Sequence, residues 1–195
     1  MDIAVVDYKG GNVQSVLFAL ERLGVQATLT ADAECIRRAD KVLFPGEGEA
    51  ASAMRELRAQ GLDRLLPTLS QPFLGICLGM QLLGRHSEEG DTELLGILPF
   101  EVKRFVPDPE HKVPHMGWNN LQRLRSPLLA GLSEQDHVYF VHSYYAPVGE
   151  YTIAEAAHPV PFSAAVQHRN FYAVQFHAEK SGPVGTRILE NFLSF

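Results

Sequence analysis

Pro72-Phe73-Leu74-Gly75-Ile76-Cys77-Leu78-Gly79-Met80-Gln81-Leu82-Leu83 is the stretch on which the fold turns. Pro72–Ile76 is a short apolar run that reads as a buried strand, and Leu78–Leu83 starts a helical pattern. Gly75 and Gly79 flank the joint. A tight strand-to-helix turn forces its central residue into a strained backbone conformation, so the neighbours must lack bulky side chains. A nucleophile elbow has this context, here with Cys77 at its apex. The thiol would project from the carboxyl edge of the sheet, where open α/β sheets place their ligand sites. The start of the following helix would favour a thiolate. A buried structural cysteine in a βα turn is the other reading of these residues alone.

Working outward, the first hundred residues alternate short apolar runs with helical patterns. Ile3–Val6, Val25–Thr30 and Lys41–Phe44 read as strands, the last stopped by Pro45-Gly46. Asn12 is placed to cap a helix through Val13, Val16, Leu17 and Leu20 that Gly24 ends. Glu49–Ala59 has helical composition. Strands separated by helices indicate βαβ units and a parallel sheet. The second half changes character. Phe100–Phe105, Asn120–Leu124, His137–Tyr144, Tyr151–Ala157, Pro161–His168 and Asn170–Phe176 read as extended, with short turns such as Arg169-Asn170. Val184–Leu193 closes as a helix. The fold expected is α/β: a mixed, mostly parallel sheet flanked by helices, with an antiparallel C-terminal part, in one domain spanning residues 1–195.

Composition narrows the function classes. The 195 residues carry a net charge of −6, which argues against broad binding to nucleic acid, since that needs a basic surface. No apolar run approaches the roughly 20 residues of a membrane span. Met1–Asp7 lacks the basic start of a signal peptide, so a cytoplasmic location is expected, where a free thiol survives. Cys35 and Cys77 are too few for a disulfide framework, and Cys35 reads as a small buried apolar residue. His111 and His115 have the spacing of a helical metal pair, but Pro114 between them argues against a helix. No metal and no cofactor is expected.

Tyr172-Ala173-Val174-Gln175-Phe176-His177-Ala178-Glu179 carries a second chemical signal. Residues two apart on an extended segment share a side, so Glu179 is placed to hold the tautomer of His177. His177 could then activate Cys77 in a thiol–imidazole–carboxylate arrangement. Nothing in the sequence proves that His177 meets a residue a hundred positions earlier. A surface His-Glu pair is the alternative. Two further signals are weaker. Gly46-Glu47-Gly48-Glu49-Ala50-Ala51 matches a loose dinucleotide pattern, but it follows the third predicted strand and lacks a ribose-binding acid. Lys9-Gly10-Gly11-Asn12 reads as an anion loop or as a tight turn.

Gly75-Ile76-Cys77-Leu78-Gly79, Gln81 and the late His177-Ala178-Glu179 together resemble the class I glutamine amidotransferases over essentially the whole chain. Asp7-Tyr8-Lys9-Gly10-Gly11-Asn12-Val13-Gln14-Ser15, Pro114-His115-Met116-Gly117-Trp118-Asn119 and Phe140-Val141-His142-Ser143-Tyr144-Tyr145 resemble, within that class, the glutaminase subunits of imidazole glycerol phosphate synthases. The resemblance implies a catalytic triad of Cys77, His177 and Glu179 and glutamine as substrate. It implies that Gln81 binds glutamine with backbone groups of Ser143 and Tyr144. Gly46, Gly48 and Leu78 would offer backbone N–H groups to the oxyanion. It further implies ammonia transfer to a separate (β/α)8-barrel cyclase subunit in histidine biosynthesis, with Asn12, Trp118, Tyr139 and Lys180 near that interface. A glutaminase serving another acceptor is the runner-up, and a non-catalytic protein on the same fold is the rival of another class. Two positions depart from the pattern. Glu47 stands where the loop usually has Val, and it is expected to face solvent or the partner. Ala178 stands where Pro is common, which would make that strand end less rigid.

Overall fold

The computed structural model describes every residue except Asn12, so the cap and interface expectations for Asn12 lie outside the described residues. From the N-terminus come β1 (Ile3–Val6), α1 (Val13–Arg22), β2 (Ala27–Thr30), α2 (Ala33–Arg38), β3 (Lys41–Gly46), α3 (Ala50–Ala59), α4 (Leu62–Leu65), β4 (Phe73–Cys77) and α5 (Leu78–Gln81). Then follow β5 (His86–Ser87), β6 (Thr92–Glu93), β7 (Glu101–Arg104), β8 (His115–Asn120), β9 (His137–His142) and β10 (Tyr144–Tyr145). The chain ends with β11 (Thr152–Ala157), β12 (Pro161–His168), β13 (Phe171–Val174) and α6 (Gly182–Leu193).

The main sheet among the described residues has the order β11-β12-β13-β4-β3-β1-β2. Strands β13, β4, β3, β1 and β2 run parallel, and β11, β12 and β13 are joined antiparallel. This is the mixed sheet the sequence led us to expect. The reason is visible in β1, whose four residues are all buried. Ile3 and Val5 pack into the core on one face and Ala4 and Val6 into the core on the other, as the two-residue period of a strand requires. Helices cover both faces. In α1, Val16, Ala19 and Leu20 are buried; in α6, Gly185, Ile188, Leu189 and Phe192. Both sets have helical spacing and share one core. On the other face α3 buries Ala50, Ala53, Met54 and Leu57.

Three local expectations are corrected. Strand β3 is not stopped at Phe44 but continues through Pro45 and Gly46, which pair with Ile76 and Cys77 of β4. The helix after Cys77 is a single turn rather than a longer element, so its dipole contributes little to the thiolate. The extended segment expected at Asn120–Leu124 is displaced: β8 occupies His115–Asn120, and only an isolated bridge joins Gln122 to Glu155. Strands β8 and β9 form a separate antiparallel ribbon in which His115 faces His142 and Trp118 faces Tyr139.

Parallel strands deliver their carboxyl ends to one edge. That edge therefore receives Cys77 from β4, the Gly46–Gly48 loop from β3, and the Gln175–His177 segment that follows β13.

Candidate active site

Cys77 adopts φ 55° and ψ −112°, a conformation that costs a non-glycine residue about 1–3 kcal/mol. The surrounding glycines explain how it is held. A Cβ on Gly79 would stand 1.8 Å from the Phe44 carbonyl oxygen, and one on Gly75 would stand 2.9 Å from the Gly79 carbonyl oxygen. The elbow is thus wedged between β3 and β4 with no room for a side chain at either flank. Gly48 has φ +98°, so the turn out of β3 needs glycine for its backbone rather than for space.

His177 is buried, and its Nδ1 lies 2.8 Å from Glu179 Oε1. The sequence reading put this pair on a strand end, where alternation would align the two side chains. The structure corrects that: β13 ends at Val174, and Ala178–Lys180 is a 3-10 turn. The turn brings the carboxylate back onto the ring. Ala178 is fully buried in it, with its carbonyl against Gly185, so the missing proline leaves no loose end there. The segment is further fixed by a backbone bond from His177 N–H to the Tyr139 carbonyl at 2.9 Å. The Ser181 hydroxyl donates to the His177 carbonyl at 2.6 Å and accepts the Tyr139 N–H at 3.0 Å.

Burial works against a charged His177. Hydrogen bonding to Cys77 and Glu179, and the negative charges of both, outweigh it and push the imidazole up to about 10. These groups favour the protonated ring. Its Nε2 makes no regular hydrogen bond to any described residue. The Cys77 sulfur is among the causes that raise the ring, and the Nε2–H of the protonated ring is left able to donate to a bound ligand.

A cavity of about 430 Å³ opens over these groups, lined among others by Cys77, Leu78, Gln81, Ser143, Tyr144 and His177. Volumes of this order suit small-molecule ligands. The expected Gly48 also lines it. Gly46 pairs with Cys77 at the end of β3 and lies behind the loop. Gln81 is buried and donates to the Tyr144 carbonyl at 2.8 Å and to Gln175 Oε1 at 2.9 Å. Trp118 is exposed and stands edge-on to Tyr139 at 5.8 Å between ring centroids, on the outer side of the β8–β9 ribbon. Among the described residues, no group of three His, Cys, Asp or Glu side chains is arranged to hold a metal ion. No described helix is long and apolar enough to cross a membrane.

A profile for "Glutamine amidotransferase class-I" matches residues 4–194. The chain belongs to the class I glutamine amidotransferases. Among curated amidotransferase relatives, "Imidazole glycerol phosphate synthase subunit HisH" of Bacteroides thetaiotaomicron is 56% identical over 194 residues, covering 99% of each chain. The protein of the same name from Xanthomonas axonopodis pv. citri is 51% identical over 193 residues, covering 98% of this chain and 96% of the relative. Among solved structures, a glutamine amidotransferase superposes with a TM-score of 0.76 at 21% identity, covering 98% of this chain and 97% of the other. PurLQS from Thermotoga maritima gives 0.71 at 17%, covering 99% and 97%. These two similarities speak to the fold alone.

Glu47, expected to face solvent or the partner, is only about one-third exposed and also borders the cavity. Its Oε1 lies 3.0 Å from Lys180 Nζ and 3.8 Å from His177 Nδ1. It turns inward because the turn after Glu179 presents an ammonium to it.

Four other residues at the site escaped the sequence reading. Gln175 is fully buried, with its Nε2 3.9 Å from Cys77 Sγ; its place two residues before His177 was the available signal. Glu89 lines the cavity and accepts the Ala50 N–H that opens α3 at 2.8 Å. Burial raises its carboxyl above the ordinary value. It follows the two-residue strand β5 and sits apart from the elbow's helical turn, so no local pattern marks it. Tyr8 is buried behind Gly46, where a Cβ would stand 2.0 Å from its hydroxyl. Burial first, then the charges of Cys77 and Glu47, push that phenol up. His142 lines the cavity wall and is held by His115.

Proposed function

We propose that the chain hydrolyses glutamine to glutamate and ammonia and passes the ammonia to a separate cyclase subunit in histidine biosynthesis. The observation that carries this reading is the meeting of Cys77 with the His177–Glu179 pair at one cavity of amino-acid size. Relatives at 51–56% identity over nearly the full chain are named as imidazole glycerol phosphate synthase subunits, which favours this acceptor over others in the class.

In this reading the Cys77 sulfur attacks the side-chain amide carbon of glutamine, and backbone N–H groups of the Gly46–Gly48 loop and Leu78 stabilise the oxyanion. One such donor is typically worth about 3 kcal/mol of barrier. His177 is charged with Nδ1–H directed to Glu179, so Nε2 gives its proton to the departing nitrogen, and ammonia leaves. The neutral imidazole then takes a proton from water, which attacks the glutamyl thioester; glutamate leaves, its acid proton passing to solvent, and the Cys77 thiolate and charged imidazole are restored. Gln81 and the backbone of Ser143 and Tyr144 bind the substrate. Glu89, a carboxylate on the cavity wall, complements the α-ammonium of an amino acid.

The domain acts in the cytoplasm as half of a heterodimer with a (β/α)8-barrel subunit, whose lyase-type ring closure uses the ammonia. The exposed Met116 and Trp118 on β8, with Tyr139 and Lys180 beside the site, suit that contact. Asn12 is assigned to it by resemblance only. Glutamate release by the parent chain, alone and with the cyclase subunit and its nucleotide ligand, tests the reading. Activity that survives Cys77→Ala unchanged would end it.

A further inference from the structure

From the cavity wall a line of polar side chains runs back through the fold, and the hydrolysis assigns no chemistry to it. Its directions can be read from hydrogen-bond logic. Asn119 accepts the Asn120 N–H at 2.9 Å through Oδ1 and donates through Nδ2 to the Ala157 carbonyl at 3.1 Å. Its amide orientation is therefore set by the backbone. The same Nδ2 lies 3.4 Å from His115 Nε2, so that ring nitrogen must be the acceptor, and His115 carries its hydrogen on Nδ1. His115 Nδ1 is 3.0 Å from His142 Nε2, and His142 Nδ1 is 2.8 Å from the Tyr144 carbonyl. A carbonyl only accepts, so His142 also carries its hydrogen on Nδ1 and takes the His115 hydrogen on Nε2. One arrangement satisfies every contact: Asn119 donates to His115, His115 to His142, and His142 to the Tyr144 carbonyl, with both rings neutral.

The surroundings hold the rings neutral and in place. Both are buried. His115 stacks on His158 at 4.2 Å and on Phe140 at 4.8 Å between centroids. Burial, with the neighbouring His158 imidazole adding to it, pulls His115 down to about 4. Burial likewise pulls His142 down to about 3, against the pull of its bond to Tyr144. The Tyr144 carbonyl also accepts from Gln81 Nε2 at 2.8 Å. Its two lone pairs are thus taken from two directions, and the orientation of the peptide after Tyr144 is locked.

We propose that His115 and His142 are positioning residues for glutamine binding, a one-way relay that clamps the Ser143–Tyr144 backbone against the substrate. The inference rests on the reading of that backbone as the glutamine-binding wall. Each acts through the Tyr144 peptide: His115 lies off the cavity lining, and His142, although part of that lining, has both ring nitrogens engaged, Nδ1 with the Tyr144 carbonyl and Nε2 with His115.

The test uses the full chain and sets ring packing against hydrogen bonding. His142→Phe and His115→Phe keep an aromatic ring and cut the relay. His142→Asn and His115→Asn lose the ring but keep an amide donor near the Nδ1 position. Steady-state glutamate release gives KM and kcat for each. Alkylation of Cys77 by iodoacetamide without glutamine reports whether the nucleophile itself is intact. The Phe variants are expected to raise KM at least tenfold, with alkylation within twofold of the parent, and the Asn variants to recover most of the loss. Asn119→Asp, at a half-buried position, removes the donor of the first link and is expected to raise KM about fivefold even if a Phe variant fails to fold. Glutamate release by the parent, and its loss in Cys77→Ala, report separately on the glutaminase reading. Parental KM in the Phe and Asp variants, Asn variants weaker than Phe variants, or alkylation falling in step with turnover would each overturn the relay.

Discussion

The Lys180 ammonium donates to the Glu47 carboxylate at 3.0 Å, tying the Gly46–Gly48 loop to the turn that carries His177 and Glu179. Each partner is about one-third exposed, so the pair itself contributes at most about 1 kcal/mol of stability. Its effect on chemistry is the larger matter. A carboxylate near a developing oxyanion opposes it, and the ammonium offsets that charge. In the isolated chain, Glu47→Gln is expected to raise kcat about threefold and Lys180→Ala to lower it about threefold. The double variant should resemble Glu47→Gln, because the lysine has then lost what it neutralises. Salt should shrink the differences. Glutamate release at saturating glutamine, run as a double-mutant cycle, measures the coupling; strictly additive effects would refute it.

Glu179→Gln keeps the shape of the side chain and removes its charge. The Nδ1 contact at 2.8 Å then no longer favours the imidazolium, and the amide can impose the wrong tautomer. Comparable replacements in hydrolytic triads cost about 10⁴ in kcat, and a loss of about 10²–10⁴ is expected here. His177 is pushed up to about 10 with Glu179 as one cause, so the alkaline limb of the kcat–pH profile should move to lower pH. A profile with its limb unmoved would assign Glu179 a structural role only.

What was legible in the sequence was what local constraint encodes. Gly75 and Gly79 announce the elbow because the backbone contacts at both flanks exclude a Cβ. The burial of β1 was likewise legible in its wholly apolar Ile3–Val6 run. Strand β3 running on through Pro45-Gly46 was not legible, since its extension depends on pairing with Ile76 and Cys77. The inward turn of Glu47 depends on a lysine 133 residues away. The His115–His142 contact spans 27 residues and joins β9 to β8, whose His-Met-Gly-Trp-Asn-Asn sequence has no clean apolar period. Such contacts belong to tertiary structure, and no window of sequence contains them.

Stability should peak near pH 6.5–7 and fall on both sides, for opposite reasons. His115 and His142 are pulled down to about 4 and about 3, against an unfolded value near 6.5. Their contribution is complete above pH 6.5 and is lost as pH falls from 6.5 toward those values, because only the unfolded chain takes up the protons. His177 is raised to about 10. Its contribution is complete below pH 6.5 and is lost as pH rises toward 10. Each unit of separation is worth at most about 1.4 kcal/mol. Between pH 6.5 and 5 the two buried rings should lower Tm by about 5–10 °C. Thermal melts at low salt check this. His115→Phe should flatten the acid limb, and Cys77→Ala, which removes the largest cause raising His177, should flatten the alkaline one.

Glycine replacements separate space from backbone at the elbow. Gly79→Ala puts a Cβ 1.8 Å from the Phe44 carbonyl oxygen, and the clash is with backbone in the middle of the sheet. Overpacking of flexible side chains costs about 1–3 kcal/mol, so this variant should lose more than about 3 kcal/mol or fail to fold. Gly46→Ala meets the Tyr8 hydroxyl at 2.0 Å, the far end of a side chain that can move, and should cost less. Gly96→Ala meets nothing within 4 Å, but its φ is +67°, so only backbone strain of about 1 kcal/mol is expected. Chemical denaturation of the three variants should rank them Gly79, Gly46, Gly96. A Gly79→Ala protein as stable as Gly96→Ala would mean that β3 and the elbow are not wedged together, and the strained Cys77 backbone would then need another support.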